Sequence, residues 1–205
     1  MATSPEGTGT ADRPLRADAA RNRQAVLAAA RTLVAKRGLE VGVDEIAQAA
    51  GVGKGTLYRR FPTKDALLEA LLEDRAAVLH ERLAKAVATA PGDPASRLDA
   101  AAHAVAATVA EDRGFYDAIR ERLSALPAAA TVHQRLVDAC APLLAAAQEA
   151  GTVRDDVDAE DLVVLLVNAS RVPAARRRTT PRLWERHLVL ALDALRPGGR
   201  ALPPG

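Results

Sequence analysis

Between positions 54 and 64 the chain gathers cations, a hydroxyl and a phenol: Lys54, Thr56, Tyr58, Arg59, Arg60 and Lys64, with Gly55 among them. Lysine, arginine and hydroxyl side chains bind phosphate oxygens, and arginine can also read guanine through two hydrogen bonds. A glycine in such a cluster lets a partner approach the backbone closely. The chemistry this collection suits is the binding of a nucleic acid.

Other chemistries lack their residues. The single Cys140 cannot close an intramolecular disulfide, and four scattered His give no metal-ligand spacing, so neither a metal nor a cofactor is expected. No carboxylate pair and no nucleophile with a base stands out, and the chain reads as a non-enzyme. The string Gly51-Val52-Gly53-Lys54-Gly55-Thr56 resembles a phosphate-binding loop only superficially. That motif needs Gly where Gln48 stands and Ser or Thr where Gly55 stands, and it follows a strand rather than a helix.

Charge agrees with this placement. The net charge of +2 hides a surplus of +5 in residues 1–64, with eleven Lys or Arg against six acidic residues, and a deficit of −3 in the remainder. A basic N-terminal third permits nucleic-acid binding there, although such a face is often merely solvated.

The elements that must hold these residues read as helices. Ala recurs throughout the 205 residues, aromatics are only 2%, and few residues favour strands. Val26, Ala30, Leu33 and Val34 share one helical face that Gly38 ends after Lys36 and Arg37. Val43, Ile46, Ala47 and Ala50 make a second, short helix ended by Gly51. Gly53 caps a third short helix with Leu57 on its inner side, and Pro62 stops it after Phe61. Thr63 caps a long fourth helix that reaches about residue 89, where Pro91-Gly92-Asp93-Pro94 breaks it. Five more helices are expected at 95–111, 115–126, 129–150, 159–170 and 181–195, with Pro142 a candidate kink in the third of them. Two short helices joined by a Gly turn, with small Ala47 at the crossing and Leu57 beneath, form a helix-turn-helix whose outer face is the basic cluster. Phe61, four residues from Leu57, reads as core, while Tyr58 is turned partly outward.

The stretch RNRQAVLAAARTLVAKRGLEVGVDEIAQAAGVGKGTLYRRFPTKDALLEALL, residues 21–72, resembles the DNA-binding domain of the tetracycline-repressor (TetR) family of bacterial regulators. Its segments DEIAQAAGV, GTLYRRF and TKDALL carry the likeness, and QEAGTVRDDVDAEDL is similar to C-terminal regions of many actinobacterial-type members. The resemblance implies that Lys54 and Gly55 meet the major groove and that Thr56, Tyr58 and Lys64 contact phosphate. It implies further that Tyr58 touches a base or a thymine methyl, and that Arg59 and Arg60 clamp phosphate or read guanine. Where family members commonly begin the second helix with Thr or Ser, this chain has Gly42 and Val43, so a backbone N–H is the contact that remains there.

The expected fold is therefore all-α. An arm, 1–15, and a tail, 197–205, without order flank a three-helix DNA-binding domain, 16–64, and a helical ligand-binding and dimerisation domain, 65–196. His103, Tyr116, Arg120, His133, Cys140 and Asn168 are polar or soft residues able to line a pocket in the second domain. Residues 162–167 are apolar nearly all round, and Trp184, Leu188, Ala191 and Leu195 form a wide stripe on the last helix. Leu162, Val163 and Leu166 are expected to join that stripe in a homodimer of four-helix-bundle form. Arg176-Arg177-Arg178 reads as a solvated loop. No apolar run approaches the roughly 20 residues that span a bilayer, and none resembles a signal peptide, so no membrane partner and a cytoplasmic location are expected. The functional expectation is a regulator released from an inverted-repeat operator in double-stranded DNA by a small-molecule effector. The alternatives are a transcriptional activator, or a helical carrier or enzyme with no DNA function.

Overall fold

Gly38 and Gly51 decide where the first helices stop. Both adopt positive φ, +73° and +67°, a backbone region that L side chains rarely enter, and each follows the last turn of a helix. The computed structural model describes residues 12–171 and 179–203, which contain nine α-helices and no strand. They are α1 Asp12–Arg37, α2 Val43–Ala49, α3 Lys54–Arg60, α4 Lys64–Thr89, α5 Pro94–Glu111, α6 Arg113–Ile119, α7 Pro127–Glu149, α8 Ala159–Ala169 and α9 Leu183–Ala194. Among the described residues, no helix is long and apolar enough to cross a membrane. The run at 176–178 lies outside them.

Caps explain the other boundaries. Thr63 Oγ1 accepts from the Ala66 N–H at 3.0 Å to start α4, and Asp93 Oδ1 accepts from the Ser96 N–H at 2.8 Å, with Pro94 at the first helical position of α5. Asp158 and Asp161 cap each other reciprocally at the start of α8. The helix expected at 115–126 is instead α6 followed by a turn and a short 3₁₀ segment, Leu123–Ala125. Pro127 opens α7, and a residue preceding proline is pushed out of helical geometry, as Leu126 is at φ −97° and ψ 113°. Two starts differ more simply. α1 already begins at Asp12, inside the expected arm, and α7 begins at Pro127 and, as expected, contains Pro142.

The helices bury two cores. The first gathers Val26, Leu27, Ala30 and Val34 of α1 with Ile46, Ala47, Leu57 and Phe61, and with Leu67, Leu68, Leu71 and Leu72 of α4. Phe115 and Ile119 of α6 and Leu126 belong to this core too, far along the chain from its other members. The second core is built by the later half of α4, α5, α7, α8 and α9, including Leu79, Leu83, Ala102, Val105, Leu144 and Leu166. Packing thus divides the molecule within α4, and α6 sides with the N-terminal part. Gly114 sets how closely α6 lies on α1, since a Cβ there would meet the Cβ and the carbonyl oxygen of Ala35 at 3.2 Å.

Between the two cores sits an ion cluster. Asp112, at the corner of α5 and α6, lies 2.8 Å from Arg31 of α1 and 2.7 Å from Nε of the buried Arg75 of α4. The contact with Arg75 is electrostatic rather than an aligned hydrogen bond. The tail is held as well: Arg154 donates to the Arg200 carbonyl at 2.6 Å, and the Leu202 N–H donates to Asp156 at 3.0 Å. Hydrogen bonds from Arg154, the stronger donor, and from the Leu202 N–H keep the Asp156 carboxyl well below the usual carboxylate range.

Candidate nucleic-acid interface

α2 and α3 are joined by a turn in which the Val52 N–H returns to the Ala47 carbonyl at 3.0 Å and the Gly51 N–H to that of Gln48 at 3.1 Å. This closes the end of α2 and sets α3 across it. Ile46, Ala47 and Leu57, each 1% exposed, fill the space beneath, which leaves α3 attached by one side-chain stripe. Lys54, Gly55, Thr56, Tyr58, Arg59 and Arg60 all lie on its exposed side, and Tyr58 retains 47% of its surface. An exposed glycine inside a helix has no internal use at position 55, because a Cβ there would meet nothing within 4 Å.

The cations differ in their freedom. Lys54 Nζ lies 2.5 Å from Asp44 Oδ2 in the first turn of α2. Lys64 is half-buried and donates to the carbonyls of Leu39 and Val41, so its ammonium fastens α4 to the loop before α2. Arg59 and Arg60 have no ion pair among the described residues, and neither has Arg23 of α1. These three arginines line one open cleft of about 640 Å³ with Asn22, Thr56 and Phe61. Sequence periodicity missed Arg23 and Asn22 because they lie far along the chain from the basic cluster at 54–64. Their signal was their place, one turn before Val26, on the helix that shares the first core with α3.

At the start of α2 the Gly42 N–H is occupied, donating to Glu45 Oε1 at 3.2 Å. Glu45 also pairs with Arg37, and these two donors, Arg37 the stronger, hold its carboxyl below the usual range. Of the backbone groups expected to face phosphate there, that of Gly42 is therefore capped by the protein's own carboxylate, with Asp44 beside it.

The expected pocket residues do not converge. Tyr116 packs against the first core, where burial, with the Asp112 charge adding to it, pushes its phenol up to about 12. Cys140 is 1% exposed in the second core, and burial pushes its thiol up to about 11. Arg120 and Asn168 are exposed, and so is His103, whose ring meets Trp184 edge-on at 5.3 Å. His133 is paired with Glu160 at 2.7 Å. A smaller hollow of about 230 Å³ lies beside Trp184, lined by Glu111, Arg113 and Ser170 among others.

Most of the expected dimer stripe is turned inward. Leu162, Val163, Leu166, Leu188 and Leu195 are all less than 8% exposed and fill the chain's own second core, with Trp184 packed at its edge, and Ala191 is buried as well. An amphipathic helix offers its most apolar face to its own neighbours first. The apolar residues left outward on these helices are Val164 on α8 and Val189 and Leu190 on α9, the last 66% exposed.

Comparison with known proteins matches residues 26–71 to the model for bacterial regulatory proteins of the tetR family. Residues 93–197 match the model for the SbtR-like transcriptional regulator C-terminal domain, which covers just over half of the chain. The chain belongs to the tetR family of regulators. Its solved relatives include a TetR transcription regulatory protein from Mycobacterium vanbaalenii, 38% identical, covering 89% of this chain and 99% of that one at a TM-score of 0.61. A TetR transcriptional regulator from Streptomyces coelicolor is 32% identical, covering 86% and 99% at a TM-score of 0.63. The HTH-type transcriptional regulator EthR of Mycolicibacterium smegmatis is 28% identical over 147 residues, 69% of this chain and 68% of its own length. As a tetR-family member this chain is a DNA-binding transcriptional regulator with an N-terminal helix-turn-helix and a helical C-terminal region.

Proposed function

We propose that the chain is a homodimeric repressor that grips an inverted-repeat operator with its two α3 helices and lets go when a small molecule binds the C-terminal region. The observation that carries this reading is the outward face of α3, where Tyr58, Arg59 and Arg60 stand free above a buried Leu57. Arg23, Arg59 and Arg60 seat the phosphate backbone in the cleft between α1 and α3, and Gly55 lets the groove approach the helix backbone. Because a single short helix buries too little surface to choose one site among many, two copies related by a two-fold axis read two half-sites.

Val164, Val189 and Leu190 supply the dimer face. Effector binding shifts the corner of α5 and α6, and because α6 shares the first core, a displacement there carries α1 and the recognition helix with it. Operator and effector then oppose each other through one equilibrium, with reciprocal coupling of about 1–3 kcal/mol. Lys64, bound to two carbonyls, orients α4 beneath this unit.

The test is a gel shift of the protein with duplexes from its own upstream region across a salt series. The reading expects a discrete complex whose log affinity falls linearly with log salt, a slope that Arg59→Ala lowers by about 0.9 for each phosphate left unneutralised. A protein that retards no duplex at any salt concentration overturns it.

A further inference from the structure

We propose that Asp44 is a specificity-determining residue that holds Lys54 in reserve and releases it only to an acceptor on a base edge. The proposal rests on the DNA-binding reading above and deepens it. Lys54 is the first residue of α3, and its ammonium is engaged by the Asp44 carboxylate at 2.5 Å. Both side chains are more than half exposed, so the pair is weak enough to be broken. Its weakness is what makes it selective. On arbitrary DNA the phosphates attract every free cation alike, and Lys54, already neutralised, adds little. On the right sequence, a purine acceptor that faces the ammonium replaces Asp44 and compensates for the broken pair.

The surroundings favour this arrangement over a merely ornamental surface pair. The first turn of α2 carries two carboxylates, Asp44 and Glu45, at the place where a phosphate contact was expected, and Glu45 occupies the Gly42 N–H as well. Asp44 is paired with Lys54 and Glu45 with Arg37, so that turn offers a generic phosphate backbone no free cation. Attraction without sequence preference is left to Arg23, Arg59 and Arg60, which lie together on the other side of α3 and have no ion pair among the described residues. One side of the reading head thus supplies attraction, and the other filters it. Specificity is a difference between two affinities, and a built-in competitor for one contact lowers the weaker of the two more.

The experiment compares wild type, Asp44→Asn, Lys54→Ala and the double variant as full-length proteins. The probes are the duplex that wild type enriches from a random-sequence library and a scrambled duplex of the same composition, titrated by fluorescence anisotropy through a salt series. Asp44→Asn is expected to tighten binding to the scrambled duplex about two- to fivefold, the range an exposed pair allows. Its salt slope should steepen by about 0.9, the contribution of one freed cation. Affinity for the enriched duplex should change less, so that discrimination falls, and in the Lys54→Ala background the same substitution should lose its effect. An unchanged slope and unchanged scrambled affinity would overturn the assignment, as would an equal gain in the Lys54→Ala background, which would make Asp44 a repelling charge with no link to Lys54. A wild type that enriches no duplex at all sinks the DNA-binding reading together with this proposal, an outcome distinct from the other two.

Discussion

Arg31 of α1 reaches Asp112 at 2.8 Å, across 81 residues of chain, and so ties the helix that supports the recognition unit to the corner between α5 and α6. Arg75 meets the other oxygen of the same carboxylate from α4. Three helices of two packing units therefore converge on one acid that is 4% exposed.

Asp112→Asn keeps the shape of the side chain but leaves the Arg75 charge, 10% exposed, without its counter-ion. Stranding one member of a buried pair costs about 3–5 kcal/mol, and urea unfolding should show a loss of that order. Arg31→Ala, at a side chain 39% exposed, should cost about 1 kcal/mol or less. An Asp112→Asn protein as stable as wild type would show that the corner does not depend on this charge.

Gly55→Ala separates folding from binding. Position 55 is helical, a Cβ there meets nothing, and alanine is preferred to glycine within helices by about 1 kcal/mol. Thermal unfolding should therefore shift upward while affinity for the enriched duplex falls, because the added methyl intrudes on a groove wall. Retained affinity would remove Gly55 from the contact surface.

Leu190→Asp tests the outward face of α9. Leu190 is 66% exposed in the protomer, so a carboxylate there should leave the helical circular-dichroism signal unchanged while sedimentation reports single protomers. Leu188→Asp, half a helical turn away and 3% exposed, should instead unfold the second core. A Leu190→Asp chain that still sediments as a dimer would move the interface elsewhere.

Cys140 supplies a pH prediction. Its thiol is buried and pushed up to about 11 from an ordinary value of 9, so folding favours the protonated form. That contribution to stability is complete below the ordinary value and disappears as pH climbs from 9 towards 11. A disulfide reagent at mildly alkaline pH should label Cys140 only after unfolding, and rapid labelling of the native protein would contradict its 1% exposure.

The helix-turn-helix was legible in the sequence because it is a local object. The Gly51 turn, Ala47 at the crossing and Leu57 beneath it lie within eleven residues, and a helical period of 3.6 says which side chains must be inside and which outside. The cap at Thr63 was legible for the same reason, since a cap bonds three residues ahead.

Contacts between residues far apart in the chain were a different matter. Periodicity showed that α8 and α9 had wide apolar surfaces, and could not say which strip of each would meet its own protomer. Leu162 and Leu188 went inward, and Leu190 was left to the solvent. Nor could any local pattern show that Lys64 bonds the carbonyls of Leu39 and Val41, or that Lys54 is held by Asp44. Side-chain identity and spacing along the chain established a recognition helix and its charge. Packing in three dimensions assigned Lys54 and Lys64 their partners and put α6 with the first core, because burial is shared among surfaces that only the folded chain brings together.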